Sequence, residues 1–218
     1  MTTAGAIIAG GQARRFGGAD KSRLIVEGQP IIVRQLAALR HVTATQFAVV
    51  DRAERALAFS DLALPAHVDR IPGAGALGGL YTALEVTTTD AVLVVACDLP
   101  FLDAGLLRRL IDALDHPTVV DAAWIATPRG VEPLLACYRR RARDPIRHEI
   151  EAGRLKASTL GTVLHIREVT LEEVEHFGPA ARLLANVNSP EDHVKLISAA
   201  STQDAIVPQR ISRKEPSP

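Results

Sequence analysis

Short, continuously apolar runs alternate with longer amphipathic stretches along most of the chain. The first run, Ala6-Ile7-Ile8-Ala9, stops at Gly10-Gly11 and predicts a short buried strand. After Pro30, the apolar positions Ile31, Ile32, Val33, Leu36, Ala37 and Leu39 share one face of a helix. Phe47-Ala48-Val49-Val50 predicts a second strand ending at Asp51, and His67-Val68 a short third ending at Asp69. Residues 77–86 predict a helix entered from a Gly-rich turn. The clearest strand is Ala91-Val92-Leu93-Val94-Val95-Ala96-Cys97, apolar throughout as a central parallel strand is, and it ends at Asp98.

The second half is punctuated by helix caps. Asp103 is an N-cap for a helix over 104–114, with Leu106, Leu107, Leu110 and Ile111 facing inward. Strands follow over 122–126 and 134–137. Asp144-Pro145 reads as a cap and first-position proline for a helix that Gly153 ends. Residues 163–169 predict another strand, and Thr170 with Glu173 a capping box. Ser189-Pro190 repeats the cap-then-proline signal for a final helix to about residue 200, and 202–218 read as a polar, loosely held tail.

Strand and helix in alternation predict an α/β fold, a mostly parallel sheet covered by helices on both faces. Ligands of such sheets bind outside the carboxyl ends of the strands. Gly10, Asp51, Asp69 and Asp98 all fall at predicted strand ends, so one sheet edge collects the polar markers.

Composition narrows the partners. In 218 residues, 25 Lys and Arg balance 25 Asp and Glu, leaving no basic field for a nucleic-acid backbone. No apolar stretch approaches the roughly 18–20 residues that cross a bilayer, and the N-terminus lacks a secretory pattern. Cys97 and Cys137 both end apolar runs and read as inert core thiols, in keeping with a cytoplasmic setting. The seven histidines show no zinc-site spacing.

The loop after the first strand, Ala9-Gly10-Gly11-Gln12-Ala13-Arg14-Arg15-Phe16-Gly17-Gly18-Ala19-Asp20-Lys21, carries the chemistry. Glycines let backbone N–H groups turn inward into an anion-binding concavity; arginines add planar donors and Lys21 a point charge. A nucleoside triphosphate, with its charge on adjacent phosphates, suits that combination. Asp20 stands where a Walker A motif needs glycine, and the spacing is not G-x-G-x-x-G, which argues against a dinucleotide-binding dehydrogenase.

This loop resembles the signature L-A-G-G-x-x-x-R-M-G-G-x-D-K of the molybdenum cofactor guanylyltransferases. Gly75-Ala76-Leu77-Gly78-Gly79 is similar to that family's G-P-L-A-G, and Asn186-Val187-Asn188-Ser189-Pro190-Glu191-Asp192 to its N-x-N-T-P-E-D. The resemblance spans roughly residues 5–200. It implies a three-layer α/β/α sandwich with a mostly parallel, Rossmann-like sheet of the nucleotide-diphospho-sugar transferase type. Residues 1–201 would form one nucleotidyltransferase domain and 202–218 the tail. It further implies transfer of GMP from GTP to the terminal phosphate of molybdopterin, with magnesium as cofactor and transient contact with other cofactor-assembly proteins or the recipient enzyme. Ile8 and Phe16 depart from the motif conservatively. Ala76 for proline and Gly78 for alanine point to a looser base-binding turn, and Asp51 stands where some relatives carry Asn.

Carried over residue by residue, the resemblance makes Arg15, Lys21 and Asp98 the catalytic set, with Asp98 as the magnesium ligand. Ile8, Ala9, Gly10, Gly11, Asp51 and Asp69 would join them in binding the nucleotide. On the acceptor side it points to Pro133, Arg154, Lys156, Asn186 and Asn188, although Leu155 interrupts the family's R-K pair. The cationic run Arg139-Arg140-Arg141-Ala142-Arg143 reads first as a solvated surface. The acceptor phosphate, with a second pKa near 6, is ionised at neutral pH, so no general base is required. Two alternatives stay open: a sibling enzyme using CTP or a sugar-phosphate acceptor, and a GTP-binding module without turnover.

Overall fold

The computed structural model describes residues 1–10, 21–57, 59–115 and 119–196. In chain order its elements are β1 (Thr3–Ile8), β2 (Ile25–Val26), β3 (Gln29–Pro30), α1 (Ile31–Arg40), β4 (Thr45–Val50), α2 (Ala53–Leu57), β5 (Ala66–Val68), α3 (Gly75–Val86) and β6 (Ala91–Ala96). There follow α4 (Ala104–Asp112), β7 (Ala122–Thr127), β8 (Gly130–Arg139), α5 (Arg143–Glu151), β9 (Ile166–Val169), α6 (Leu171–Glu175) and α7 (Ala180–Leu183). Residues 190–196 are also helical.

Seven strands form one sheet in the order β5-β4-β1-β6-β8-β7-β9. The pairs β5–β4, β4–β1, β1–β6 and β7–β9 are parallel, whereas β8 runs antiparallel to both β6 and β7. Alternation along the strands builds two cores, one per face. Ile7, Val50, Leu93 and Val95 meet Ile32, Leu36, Leu39 and Leu107 of α1 and α4. Ala6, Ile8, Val92 and Val94 meet Leu77, Leu80, Leu84 and Ile146 of α3 and α5. This is the expected three-layer α/β/α sandwich, with an antiparallel strand set into a mostly parallel sheet.

The cap signals at Asp103 and at Thr170 held. The Asp103 carboxylate accepts the Leu106 N–H at 2.9 Å, and Thr170 with Glu173 closes a capping box. Several boundaries differ from the sequence reading: the strand expected over 6–9 spans Thr3–Ile8, the strand expected from Phe47 begins at Thr45, and the helix expected over 77–86 begins at Gly75. The helix expected to be capped by Asp144 and to begin at Pro145 starts two residues earlier, at Arg143, with Ala142 at its N-cap and no side-chain cap bond, because a 3-10 turn over Arg140–Ala142 runs straight into it. The strand expected from 163 begins at Ile166, since Ala157–Thr162 winds as a 3-10 helix. The strand expected over 134–137 extends to Gly130–Arg139. The two-residue strands β2 and β3 form a hairpin too short to show periodicity.

A third, smaller core of Val26, Ile31, Phe101 and Val187 joins that hairpin, the start of α1, the segment after β6 and the C-terminal stretch. It lies beside the carboxyl end of β6 and supports the site described next.

Candidate active site

From β1 the chain leads to β4 and β5 on one side, and from β6 to β7 on the other, so β1 and β6 flank the topological switch point. A cleft of about 490 Å³ opens there, lined by Ile8, Ala9, Gly10, Lys21, Asp51, Asp69, Cys97 and Asp98 among others. Sheet geometry thus gathers residues from four strand ends, as the sequence pattern implied. Gly11 and Arg15 lie outside the described residues.

One side of the cleft is built mainly from backbone. The Ala9 N–H donates to the Val49 carbonyl at 2.8 Å and the Asp69 N–H to that of Val50 at 2.7 Å, carrying the sheet ladder one residue past the strands. The Asp69 carboxylate accepts from the Ile71 N–H and the Thr82 hydroxyl, so it braces the turn into α3. That turn is not loose, contrary to what the two motif departures suggested. A Cβ at Gly78 would lie 2.6 Å from Asp69 Oδ2 and 2.8 Å from the Ile71 carbonyl, so glycine is what allows this close approach.

Asp51 is paired with Arg55 one helical turn on, Nε lying 3.4 Å from Oδ1, while an Arg55 Nη donates to the Ala9 carbonyl at 3.1 Å. Arg55 is therefore a cleft residue that the sequence reading missed. Its i,i+4 spacing from Asp51 was the available signal.

Across the cleft, Lys21 Nζ stands 3.9 Å from Asp98 Oδ2, each side chain about one-fifth exposed. Burial pushes the Asp98 carboxyl above the usual carboxylate range, with Lys21 only partly opposing it. Glu132 is likewise raised, first by burial and then by the Asp98 charge.

Glu132 reaches this point through an irregularity. Trp124 pairs with Ala136 but Ile125 with Glu132, so residues 133–135 bulge out of the β7 ladder. Leu134 lines the cleft from the bulge, and the Pro133 carbonyl accepts from the Tyr138 hydroxyl. Proline inside a strand pattern is the sequence sign of a bulge, and bulges re-aim side chains beside sites.

The remaining candidates separate. The Val187 N–H donates to the Asp98 carbonyl at 2.9 Å, which brings exposed Asn186 and Asn188 to the chain segment carrying Asp98. Arg154 instead forms a two-pronged ion pair with Glu149 and, with Lys156, lines a separate depression. Of the cationic run, Arg139, Arg141 and Arg143 pair with Asp115, Asp121, and Glu85 and Asp144 respectively. Cys137 is fully buried as expected, whereas Cys97 is only half-buried and lines the cleft.

A doubly covered, mostly parallel sheet, with a lysine–aspartate pair at its switch point and a Gly-rich sequence between β1 and that lysine, is the design of a nucleotidyltransferase. Comparison with known proteins gives the particular group. Residues 5–165 match the MobA-like NTP transferase domain, and the chain belongs to that family. It is 36% identical over 204 residues to a probable molybdenum cofactor guanylyltransferase of Chloroflexus aggregans, covering 91% of this chain and 95% of that one. A probable molybdenum cofactor guanylyltransferase of Carboxydothermus hydrogenoformans is 29% identical, with 91% and 97% covered. Among solved structures, molybdopterin-guanine dinucleotide biosynthesis protein A from Archaeoglobus fulgidus has the same fold. Its TM-score is 0.78 at 23% identity, over 91% of this chain and 99% of that chain.

Proposed function

We propose that the chain transfers GMP from GTP to the terminal phosphate of molybdopterin, releasing pyrophosphate and forming the guanine dinucleotide cofactor. The observation that carries this reading is the Lys21–Asp98 pair sharing one cleft with Gly10, Asp51 and Asp69. The names of the curated relatives, probable molybdenum cofactor guanylyltransferases, support guanine as the base and the molybdenum cofactor as the acceptor.

In the reaction, an acceptor phosphate oxygen forms a bond to the α-phosphorus of GTP while the α–β bridging bond breaks and pyrophosphate leaves. The acceptor needs no proton removed, since its phosphate is already ionised at neutral pH. The work left to the protein is to align two anions and offset their repulsion. Lys21 holds negative phosphate oxygens at the cleft wall, and Arg15, outside the described residues, would add a second cation. Backbone groups at Ile8, Ala9 and Gly10, with the braced Asp69 turn, shape the nucleoside end. Asn186 and Asn188 border the acceptor side, together with the Pro133 bulge.

The donor set fits magnesium. Asp98 offers a half-buried carboxylate oxygen whose charge Lys21 compensates only in part. Magnesium takes one or two carboxylates and draws its remaining ligands from phosphates and water. Among the described residues no group of three His, Cys, Asp or Glu offers an all-protein cage. Bound at Asp98, magnesium would supply neutralisation of charge on the phosphate oxygens.

No helix among the described residues is long and apolar enough to cross a membrane. We place the reaction in the cytoplasm, with both substrates small and diffusible. The test is pyrophosphate release with molybdopterin present, comparing GTP with CTP. GTP-dependent release that requires molybdopterin is expected; preferential turnover of CTP would sink the guanine assignment. GTP binding without release under either condition would favour a non-catalytic module.

A further inference from the structure

Gln35 lies on the buried face of α1, fully enclosed among the apolar side chains of that face. Its amide nitrogen donates twice, to the Ala96 carbonyl at 2.8 Å and to the Leu99 carbonyl at 2.9 Å. Two carbonyls can be satisfied only by the NH2 end, so the orientation of the amide is fixed by chemistry. Its oxygen, Oε1, is buried and has no hydrogen-bond partner among the described residues. An apolar residue would spare that acceptor but would strip the amide donor from both carbonyls, and buried acceptors left unsatisfied cost free energy. Glutamine therefore leaves its own acceptor unmet while satisfying two backbone carbonyls of the Asp98 turn.

The two accepting carbonyls bracket Asp98. Ala96 ends β6, Leu99 closes the following turn, and the intervening peptides are held from other directions. The Cys97 N–H donates to the Ile8 carbonyl and the Val187 N–H to the Asp98 carbonyl. The neighbouring Arg34, also on α1, donates to the Pro100 carbonyl at 2.9 Å. The same helix is tied to Lys21: the Ile31 N–H donates to the Leu24 carbonyl, and the Leu24 N–H to that of Lys21. One rigid element thus grips both partners of the 3.9 Å Lys21–Asp98 pair.

We infer that Gln35 is a positioning residue of the transfer site, clamping the Asp98 turn at a set spacing from Lys21. The inference rests on the proposed function for its kinetic consequence, but not for the clamp itself. Gln35→Met keeps the length and burial of the side chain and removes both donors. Leu39→Val, one turn further along the same buried face, serves as a core control that leaves the Asp98 turn untouched. Gln35→Asn, too short to bridge both carbonyls, is the second variant should the first fail to fold.

Three measurements on the full chain decide it. Amide hydrogen exchange at Leu99 and Val187 is expected to rise at least about tenfold in Gln35→Met and to stay near wild type in Leu39→Val. Manganese affinity, titrated by electron paramagnetic resonance with GTP present, is expected to weaken by about tenfold. The kcat is expected to fall roughly 10–100-fold, the order that a 1 Å displacement costs, with KM for GTP changing by less than about threefold. If exchange, manganese affinity and kcat in Gln35→Met all match Leu39→Val, Gln35 is an ordinary core residue and the inference is overturned. If wild type transfers no GMP, the functional reading fails, while exchange at Leu99 and Val187 still decides the clamp.

Discussion

At the residue scale, Asp98 combines two opposed demands. Its carboxylate is placed where a charged oxygen ligand is useful, yet burial disfavours that charge, and among the described residues Lys21 opposes this only in part. Asp98→Asn should therefore lower turnover by roughly 100-fold or more, the scale of losing one electrostatic contact to the transition state. The same substitution should leave the melting temperature of the ligand-free protein unchanged or higher by roughly 2–4 °C, as about 1 kcal/mol does in a chain of this size. Calorimetry in chelator beside an assay of pyrophosphate release checks both halves, and a variant that melts well below wild type would count against this reading of Asp98.

Gly78 gives the opposite kind of residue. Because a Cβ there meets Asp69 Oδ2 and the Ile71 carbonyl, Gly78→Ala must push the turn into α3 outward. It should raise KM for GTP by roughly tenfold, about 1.4 kcal/mol, with kcat less affected, as steady-state kinetics would show. Asp98 and Lys21 were legible in the sequence because each ends a recognisable segment. Arg55 was missed, and for Glu132 the sequence offered only a place beside Pro133 on the acceptor side, not its approach to Asp98. The first depends on a short helix with no buried residue, and the second on a register shift between two strands.

Among elements, the parallel strands were the most legible, since burial on both faces leaves an uninterrupted apolar run. The edge of the sheet was harder to read. β9 and β7 pair in parallel only because the chain loops through a 3-10 helix before entering β9, and that loop carries no periodic signal. One carboxylate fastens the junction: Asp121 accepts from the His165 N–H at 2.9 Å and from Arg141 Nε at 2.7 Å. Burial works against its charge, but the His165 amide and ring and the Arg141 guanidinium outweigh it and hold its pKa below the ordinary value. A depressed folded-state pKa stabilises the fold above the unfolded value and loses that contribution as pH falls through the folded one. Asp121→Ala should thus cost about 1 kcal/mol at neutral pH, roughly 2–4 °C in melting temperature. The gap to wild type should narrow below about pH 4, where the carboxylate begins to take up its proton. Parallel melts of the two proteins across pH would show it, and a gap that widened toward acid would contradict the assignment.

For the whole molecule, the C-terminal stretch decides whether the cleft is finished by the sheet alone. Val187 is fully buried in the small core with Val26, Ile31 and Phe101, and its N–H holds the Asp98 carbonyl. Glu27 adds a clasp, bridging Arg34 of α1 and Arg182 of α7, while the Arg182 guanidinium lies 3.9 Å over the Phe101 ring. Three separate segments, those carrying Lys21, Asp98 and the two asparagines, are therefore locked together outside the main sheet. The matched family domain ends at 165, before any of the last of these. A chain ended after Leu184 keeps every strand of the sheet but loses a buried valine, worth about 1.5–3 kcal/mol, and the hydrogen bond beneath Asp98. It should fold, melt roughly 5–10 °C lower, and bind GTP with magnesium at least about tenfold more weakly. We propose that the transferase domain itself runs to residue 201, so a chain lacking only 202–218 should match wild type in both measurements. Calorimetry and titration of GTP binding on the two truncations separate the alternatives. Equal affinity in the shorter one would mean that the sheet edge alone holds Asp98 in place.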